Sequence, residues 1–329
     1  MKNINHIVIL TIILFLFSCK SEKTTGVVEK VKKQKVKVFT PKFNSDSAYH
    51  YVKKQVDFGP RVISTRSWAK CALWIEKKLL DYTPNVIVQE ANTTTYDEKS
   101  HVLKNIIASF NPEKKNRIAL FAHWDSRHIA DHDTINQNNP ILGANDGGSG
   151  VGVLIELARQ FNIKDPKIGV DIILFDAEDY GQPENSGYSY MEDSWCLGSQ
   201  YWSKNPHTPY YNARYGILLD MVAGKDATFY LEGYSTMFAS SILQKVWKTG
   251  HNLGYGRHFI FEESPKITDD HFYVNTIAKI PTIDIIEYDP NTKNGFNKYW
   301  HTHGDDMNNI DKNTLNAVGQ TLIDVIYKE

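Results

Sequence analysis

Beyond residue 40, apolar positions recur at spacings of three and four in several stretches, which is the period of an amphipathic helix. The first two stretches, residues 45–58 and 67–82, each begin with a serine that can cap a helix. Residues 57–61, Asp-Phe-Gly-Pro-Arg, break the pattern between them and predict a turn. Further helices are predicted at residues 151–161, 196–203, 235–251, 269–278 and 311–327.

Largely apolar runs of strand length lie between these helices. They occur at residues 85–91, 102–110, 117–122, 170–175, 216–219 and 283–286. Strands that alternate with helices, several of them apolar throughout, indicate an α/β protein. We therefore expect a three-layer α/β/α sandwich with a central mixed, largely parallel sheet.

Polar residues follow three of the strand-like runs at the point where each run ends. These residues are His123, Asp176 and Asp220. In open sheets of parallel buried strands, ligands bind beyond the carboxyl ends of the strands. The sequence therefore predicts a functional site at this edge of the sheet.

The candidate chemistry is a zinc site. A catalytic zinc ion is usually held by three protein side chains, and a fourth position is left for water or substrate. Asp146, Asp179 and His301 are the predicted ligands. Glu178 stands next to Asp179 and is the predicted general base, because a backbone that turns at a strand end can aim both side chains into one crevice. An exposed acidic loop is the alternative for residues 176–179.

Two further acids are candidates for proton transfer. Asp220 lies in an apolar run, where an unpaired charge would cost several kcal/mol, so it needs a partner. Asp269 begins a predicted helix and could instead be a simple helix cap. If Glu178, Asp220 and Asp269 meet, they cannot all be ionised, and a shared proton could pass to a bound substrate.

Other polar and aromatic positions leave alternatives open. Asp284 interrupts a strand-like run and could support the site or face solvent. Phe296 and Trp300 could form an apolar wall beside His301 or pack in the core. The glycines of residues 147–150 could cradle a phosphate at a helix start, but no lysine follows in the P-loop pattern.

The N-terminal 40 residues are not expected to belong to the fold. Lys2 precedes an apolar run at residues 7–17, which suits a signal peptide and is too short to span a bilayer. Its end at Cys19 resembles a bacterial lipoprotein signal, in which the cysteine is lipidated; a plain secretory signal is the alternative. Residues 20–40 carry seven Lys against two Glu and predict a flexible basic tether.

We therefore expect residues 1–19 to be a lipoprotein signal peptide, 20–40 a tether and 41–329 a single zinc-dependent catalytic domain. The protein would be exported and anchored by lipid to a bacterial membrane, facing the periplasm or the cell surface. Residues 41–329 carry a formal charge of about −7, which argues against nucleic acid as a partner. Cys71 and Cys196 could pair in an exported protein or remain free thiols.

Six short motifs resemble a known family. They are His-x-Asp-Ser from His123, Ala-Asn-Asp ending at Asp146, Asp-Ala-Glu-Asp ending at Asp179, Leu-Leu-Asp-Met around Asp220, Asp-Asp-His from Asp269 and Trp-His-Thr around His301. Their order is similar to that in zinc exopeptidase-like glutaminyl-peptide cyclotransferases, from about residue 45 to the C-terminus. The resemblance implies one zinc ion and the conversion of N-terminal glutamine to pyroglutamate with release of ammonia.

The resemblance also implies roles for individual residues. Matching motifs carry the zinc ligands onto Asp146, Asp179 and His301, the proton-transferring glutamate onto Glu178, the supporting acids onto Asp220 and Asp269, and the aromatic pocket onto Phe296 and Trp300. The animal enzymes have glutamate where this chain has Asp179, so one ligand is a methylene shorter. Peptide or protein N-termini are the implied substrates.

Two rival functions remain. His123 and Asp220 could bind a second metal ion bridged by Asp146, which would give a two-zinc aminopeptidase with Glu178 activating water. The Asp-Asp-His motif and Trp300 favour cyclisation. A catalytically inactive binding module on the same fold is the third possibility, and the intact ligands and base argue against it.

Overall fold

Eight β-strands lie in the part of the chain that the structure, a computed structural model, describes, residues 40–329. They are β1 (Val86–Thr94), β2 (Ser100–Phe110), β3 (Arg117–His123), β4 (Gly169–Phe175), β5 (Gly216–Asp220), β6 (Phe229–Leu231), β7 (Phe259–Glu263) and β8 (Thr282–Ile286). The predicted signal peptide lies outside the described residues, as does the predicted tether up to residue 39.

Six strands form the central sheet in the order β1-β2-β4-β3-β5-β8. β1, β2 and β4 pair antiparallel, whereas β4, β3, β5 and β8 run parallel to one another. The prediction of a mixed, largely parallel sheet is confirmed. His123 pairs with Phe175 and Asp220 pairs with Ile286, so the four parallel strands end at one edge.

Seven α-helices accompany the strands. They are α1 (Ser45–Val56), α2 (Arg66–Leu80), α3 (Gly148–Ile163), α4 (Leu197–Lys204), α5 (Gly233–Asn252), α6 (Asp270–Tyr273) and α7 (Lys312–Tyr327). α6 continues into a π-helical turn, Val274–Ala278, where a single helix was predicted. Among residues 40–329, no helix has both the length and the apolar character needed to cross a membrane.

The four parallel strands β3, β4, β5 and β8 are covered on both faces, which explains why they are largely apolar. Buried side chains of α1, α2, α3, α5 and α7 pack in one large core with one face of the sheet. On the opposite face, Phe121, Phe175 and Leu218 pack with Trp202 of α4 and Val274 of the π-helical turn. The three-layer α/β/α architecture is thus confirmed.

The differences from the prediction concern element ends and short elements. The capping residues of α1 and α2 are Asn44 and Thr65, which lie one and two residues before the predicted serines, Ser45 and Ser67. The short parallel pair β6 and β7 was not predicted. β6 has only three residues, too few to show a period.

Candidate active site

One cavity at the carboxyl edge of the sheet brings together the predicted zinc ligands, the predicted base, the two supporting acids and the two aromatic residues. Its volume is about 450 Å³. The predicted residues that line it are Asp146, Glu178, Asp179, Asp220, Asp269, Phe296, Trp300 and His301. Residues more than 150 positions apart therefore meet where the parallel strands end.

Sharp turns aim these side chains into the cavity. Ala177, Met221, Cys196 and His301 all have left-handed backbone conformations, with φ between 50° and 57°. Such values are uncommon for residues other than glycine, and they cluster at functional sites. The turn at Ala177 brings Glu178 and Asp179 to the same cavity.

The three predicted metal ligands converge. Their ligand atoms all lie within 4.8 Å of one another. His301 Nε2 is 3.2 Å from an Asp179 oxygen and 3.7 Å from an Asp146 oxygen. Both Asp179 carboxylate oxygens are buried and accept no hydrogen bond from the residues that the structure describes. Two carboxylates and an imidazole around such unsatisfied oxygens form a donor set that suits zinc.

Two more carboxylates hold the turns that carry the aspartate ligands. Asp125 accepts hydrogen bonds from the amides of Glu178 and Asp179, each at 3.1 Å. Asp305 does the same for Asn145 and Asp146, at 2.7 and 3.0 Å. A carboxylate that binds two successive amides fixes the backbone turn that leads into the ligand residue. Asp305 was not predicted from the sequence, because it resembles an ordinary loop acid there.

Gly147 follows the ligand Asp146 and must be a glycine. Its φ is +86°, and a Cβ there would lie 2.3 Å from the Asp125 carbonyl oxygen and 3.0 Å from the His123 ring. The Gly147 backbone therefore lies close to the end of β3, where a side chain would not fit. α3 begins directly after this turn, at Gly148, and Asp146 itself is buried.

A second group of possible ligands shares Asp146. His123 Nε2 lies 3.1 Å from an oxygen of Asp146 and 3.1 Å from an oxygen of Asp220. The ligand atoms of these three buried residues also lie within 4.8 Å of one another. The arrangement could hold a second cation next to the first.

Glu178 lies among other acids. Cys196 Sγ donates a hydrogen bond to Glu178 Oε1 at 3.1 Å, and an Asp269 oxygen lies within 4.8 Å of these groups. Burial raises the pKa of Glu178 well above its usual range; His123 opposes the rise and Asp269 adds to it. Burial also raises the pKa of Asp220 to about 7, against a hydrogen bond with His123. Both carboxyl groups therefore hold a proton more tightly than they would in water.

Asp269 lines the cavity, whereas its neighbour Asp270 is fully buried behind it. Asp269 also caps α6, since its side chain accepts a hydrogen bond from the Asp270 amide at 2.5 Å. The capping and cavity-lining interpretations therefore hold together. Asp284 is fully buried and its oxygens lie within 4.8 Å of ligand atoms on Asp269 and His271, so the solvent-facing alternative for Asp284 was wrong.

Aromatic rings form one wall. The Trp300 ring lies 3.7 Å from the His301 ring and nearly parallel to it, and Phe296 lies 4.6 Å from Trp300. Trp195, which sequence analysis missed, stacks at 6.0 Å on His301. Its only sequence signal is its position next to Cys196. The two cysteines within residues 40–329, Cys71 and Cys196, are buried free thiols, so they do not pair with each other.

Comparison with known proteins agrees with this geometry. The chain is 54% identical to a Bacteroides thetaiotaomicron glutaminyl cyclase solved with N-acetylhistamine, with a TM-score of 0.86; the match covers 88% of this chain and all of that one. A Zn-dependent exopeptidase from Parabacteroides distasonis is 52% identical with a TM-score of 0.87 and the same coverage.

A curated relative, the glutaminyl-peptide cyclotransferase of Dictyostelium discoideum, is 27% identical over 252 residues. The match covers 70% of this chain and 65% of the relative, so the chain spans just under two thirds of that protein. The model of peptidase family M28 matches residues 105–326, which include all eight residues of the cavity named above. The chain belongs to peptidase family M28.

Proposed function

We propose that this chain is a glutaminyl-peptide cyclotransferase, an acyltransferase that converts N-terminal glutamine of peptides or proteins to pyroglutamate and releases ammonia. The observation that carries the proposal is the convergence of Asp146, Asp179, His301 and Glu178 in one aromatic-walled cavity. The 54% identity to a solved glutaminyl cyclase, over that enzyme's whole chain, supports it.

Asp146, Asp179 and His301 would hold one zinc ion. The negative charges of the two aspartates balance the charge of the ion. The ion in turn would pair with the Asp179 oxygens, which otherwise lack a partner among the described residues. Zinc held there supplies a Lewis acid that polarises the side-chain carbonyl of glutamine. The name of the Parabacteroides relative supports zinc as the metal.

Glu178 acts as base and then as acid. It takes a proton from the substrate α-amine as that nitrogen bonds to the side-chain carbonyl carbon, and returns it to the amide nitrogen, which leaves as ammonia. No water is consumed. Asp220 and Asp269 line the same cavity as supporting acids beside Glu178, and Trp300 and Phe296 hold the folded-back side chain.

A two-zinc aminopeptidase is the second candidate, favoured by the shared ligand group His123, Asp146 and Asp220. In that enzyme Glu178 would activate water, and a peptide bond would break. Asp269 beside Glu178 and Trp300 over His301 support the cyclase, because they belong to the two motifs that resemble the cyclotransferases.

Incubation of matched peptides that begin with Gln or Ala distinguishes the two reactions. The cyclase converts only the Gln peptide, yields one ammonia per product and leaves every peptide bond intact. Release of free amino acids from either peptide would instead assign the chain to the aminopeptidases.

We also propose that residues 41–329 form the single catalytic domain, and that the protein is exported and anchored through lipid on Cys19. The apolar run that ends at Cys19 and the basic residues after it support this location. Replacement of Cys19 by Ser should move the protein from the membrane fraction to the soluble fraction. An unchanged membrane fraction would reject lipidation at this residue.

A further inference from the structure

The third metal ligand, His301, is held differently from the two aspartates. We propose that Asp131 and Arg127 form one positioning unit for the metal site, in which Asp131 orients His301 and Arg127 fixes Asp131 together with the turn that carries Asp179. The inference rests on the proposed metal site of the preceding section.

Asp131 faces the outer nitrogen of His301. His301 Nε2 points towards Asp146 and Asp179, so Nδ1 must carry the ring proton when Nε2 binds a metal ion. Asp131 Oδ1 lies 3.1 Å from that Nδ1. His301 Nδ1 has no well-aligned hydrogen bond among the described residues, so this is a close electrostatic contact. A carboxylate this close favours the tautomer with its proton on Nδ1, which leaves Nε2 free to bind metal.

Arg127 holds Asp131 with both arms of its guanidinium. Nε and Nη2 donate to the two oxygens of Asp131 at 3.0 and 2.7 Å. The paired geometry fixes the carboxylate plane, which a single hydrogen bond would leave free to rotate. The Arg127 side chain is completely buried, and its guanidinium lies 4.4 Å from the Trp195 ring, so little room remains for movement.

The third nitrogen of Arg127 reaches the other ligand. Nη1 donates to the backbone carbonyls of Asp179 and Gly181 at 2.9 and 3.1 Å, and lies 3.6 Å from an Asp179 carboxylate oxygen. Asp179 is one methylene shorter than glutamate, so its backbone position must be set closely. Arg127 thereby couples the placement of Asp179 to that of His301.

Zinc affinity tests this assignment independently of turnover. The purified protein is titrated with zinc against a competing chelator, for the wild type and for Asp131→Ala, Asp131→Asn and Glu184→Gln. A second cleft, on the Nδ1 side of His301, is lined by Asp131, His301 and the exposed Glu184. Glu184→Gln therefore removes one carboxylate charge from this cleft and serves as a matched control.

We expect Asp131→Ala to weaken zinc binding by about 10- to 100-fold. Asp131→Asn should fall between it and the wild type, because it keeps an acceptor oxygen and the side-chain shape. Glu184→Gln should stay within about twofold. Saturating zinc should restore most turnover to the folded Asp131 variants, since no group that touches substrate has changed.

A purely structural role predicts a different pattern. It would lower the unfolding midpoint of the zinc-free variants and leave the zinc affinity of the folded protein within about twofold of the wild type. That result for Asp131→Asn would overturn the inference even if Asp131→Ala failed to fold. A wild type that binds zinc but does not cyclise glutamine would contradict the proposed reaction and leave this comparison intact.

Discussion

Two buried aspartates near opposite ends of β4 differ in the hydrogen bonds that they accept. Asp171, near the start of the strand, is fully buried, yet it accepts hydrogen bonds from Ser109, from two nitrogens of Arg117 and from Tyr211, all at 2.6–2.7 Å. Asp179, beyond the other end, is equally buried and its oxygens accept none from the described residues.

The difference separates a structural charge from a functional one. The chain supplies Asp171 with its own cation and donors, so the cost of burial is offset within the fold. It supplies Asp179 with like-charged Asp146, with His301 and with Arg127 Nη1 at 3.6 Å, but none of the described residues donates a hydrogen bond to its oxygens, which leaves coordination to be completed from outside. Burial raises the pKa of Asp179 to about 6, and Asp146 adds to the effect.

Loss of the base should have the largest effect on activity, at the carboxyl end of the sheet. Glu178→Gln keeps the side-chain shape but cannot take a proton, so we expect turnover to fall by roughly 10²–10⁴. Steady-state kinetics on a Gln-led peptide measure it, with zinc content as the control. Turnover within a factor of a few of the wild type would remove Glu178 from this role.

Loss of the structural charge should act on stability instead. Asp171→Asn leaves Arg117 without its carboxylate partner, and the free energy of unfolding should fall by about 3–5 kcal/mol. Denaturant unfolding measures the change. Below the unfolding transition, kcat should remain close to that of the wild type; a selective loss of kcat in the folded variant would break the distinction between the two ends.

The pH dependence of zinc-free stability sharpens the comparison. A raised pKa means that Asp179 holds its proton more tightly in the folded state, so its contribution to stability is fully present below about pH 4 and is lost as pH rises through about 6. The shift corresponds to at most about 3 kcal/mol.

Asp179→Asn removes this titration. Denaturant unfolding measures the free energy of unfolding of both zinc-free proteins at pH 4 and 7. The decrease in this free energy from pH 4 to pH 7 should be smaller for the variant than for the wild type. Equal decreases in the two proteins would show that the Asp179 charge is already compensated, as that of Asp171 is.

An exposed charge should have the smallest effect. Glu192 lies at the mouth of the same cavity, whose lining residues include acids but no lysine or arginine. Peptides with Lys after the N-terminal Gln should therefore have a higher kcat/KM than peptides with Glu there. Glu192→Gln should reduce the ratio of kcat/KM for the Lys peptide to kcat/KM for the Glu peptide by about two- to fivefold, and by less at high salt. An unchanged ratio would place the substrate away from Glu192.

Periodicity predicted what depends on local pattern. The apolar runs before His123, Asp176 and Asp220 located the strand ends, and the chirality and packing rules of parallel sheets brought those ends to one edge. Asp146 and His301 lie in loops, and only motif order linked them to the site before the structure did.

The supporting residues could not be predicted in the same way. Arg127, Asp131 and Asp305 lie in irregular segments with no period, and their partners are up to 170 positions away in sequence. Their geometry depends on left-handed turns such as that at His301, which residue type does not reveal for a non-glycine. In the sequence, a buried carboxylate that positions a metal ligand therefore cannot be distinguished from an exposed loop acid.

Diffraction from crystals of the zinc-loaded protein, recorded at the zinc absorption edge, tests the central claim most directly. We expect one anomalous peak, within bonding distance of Asp146, Asp179 and His301, with Glu178 on the side of the zinc ion that these ligands leave open. No peak at that position, or a second peak of equal height between His123 and Asp220, would contradict a one-zinc cyclase.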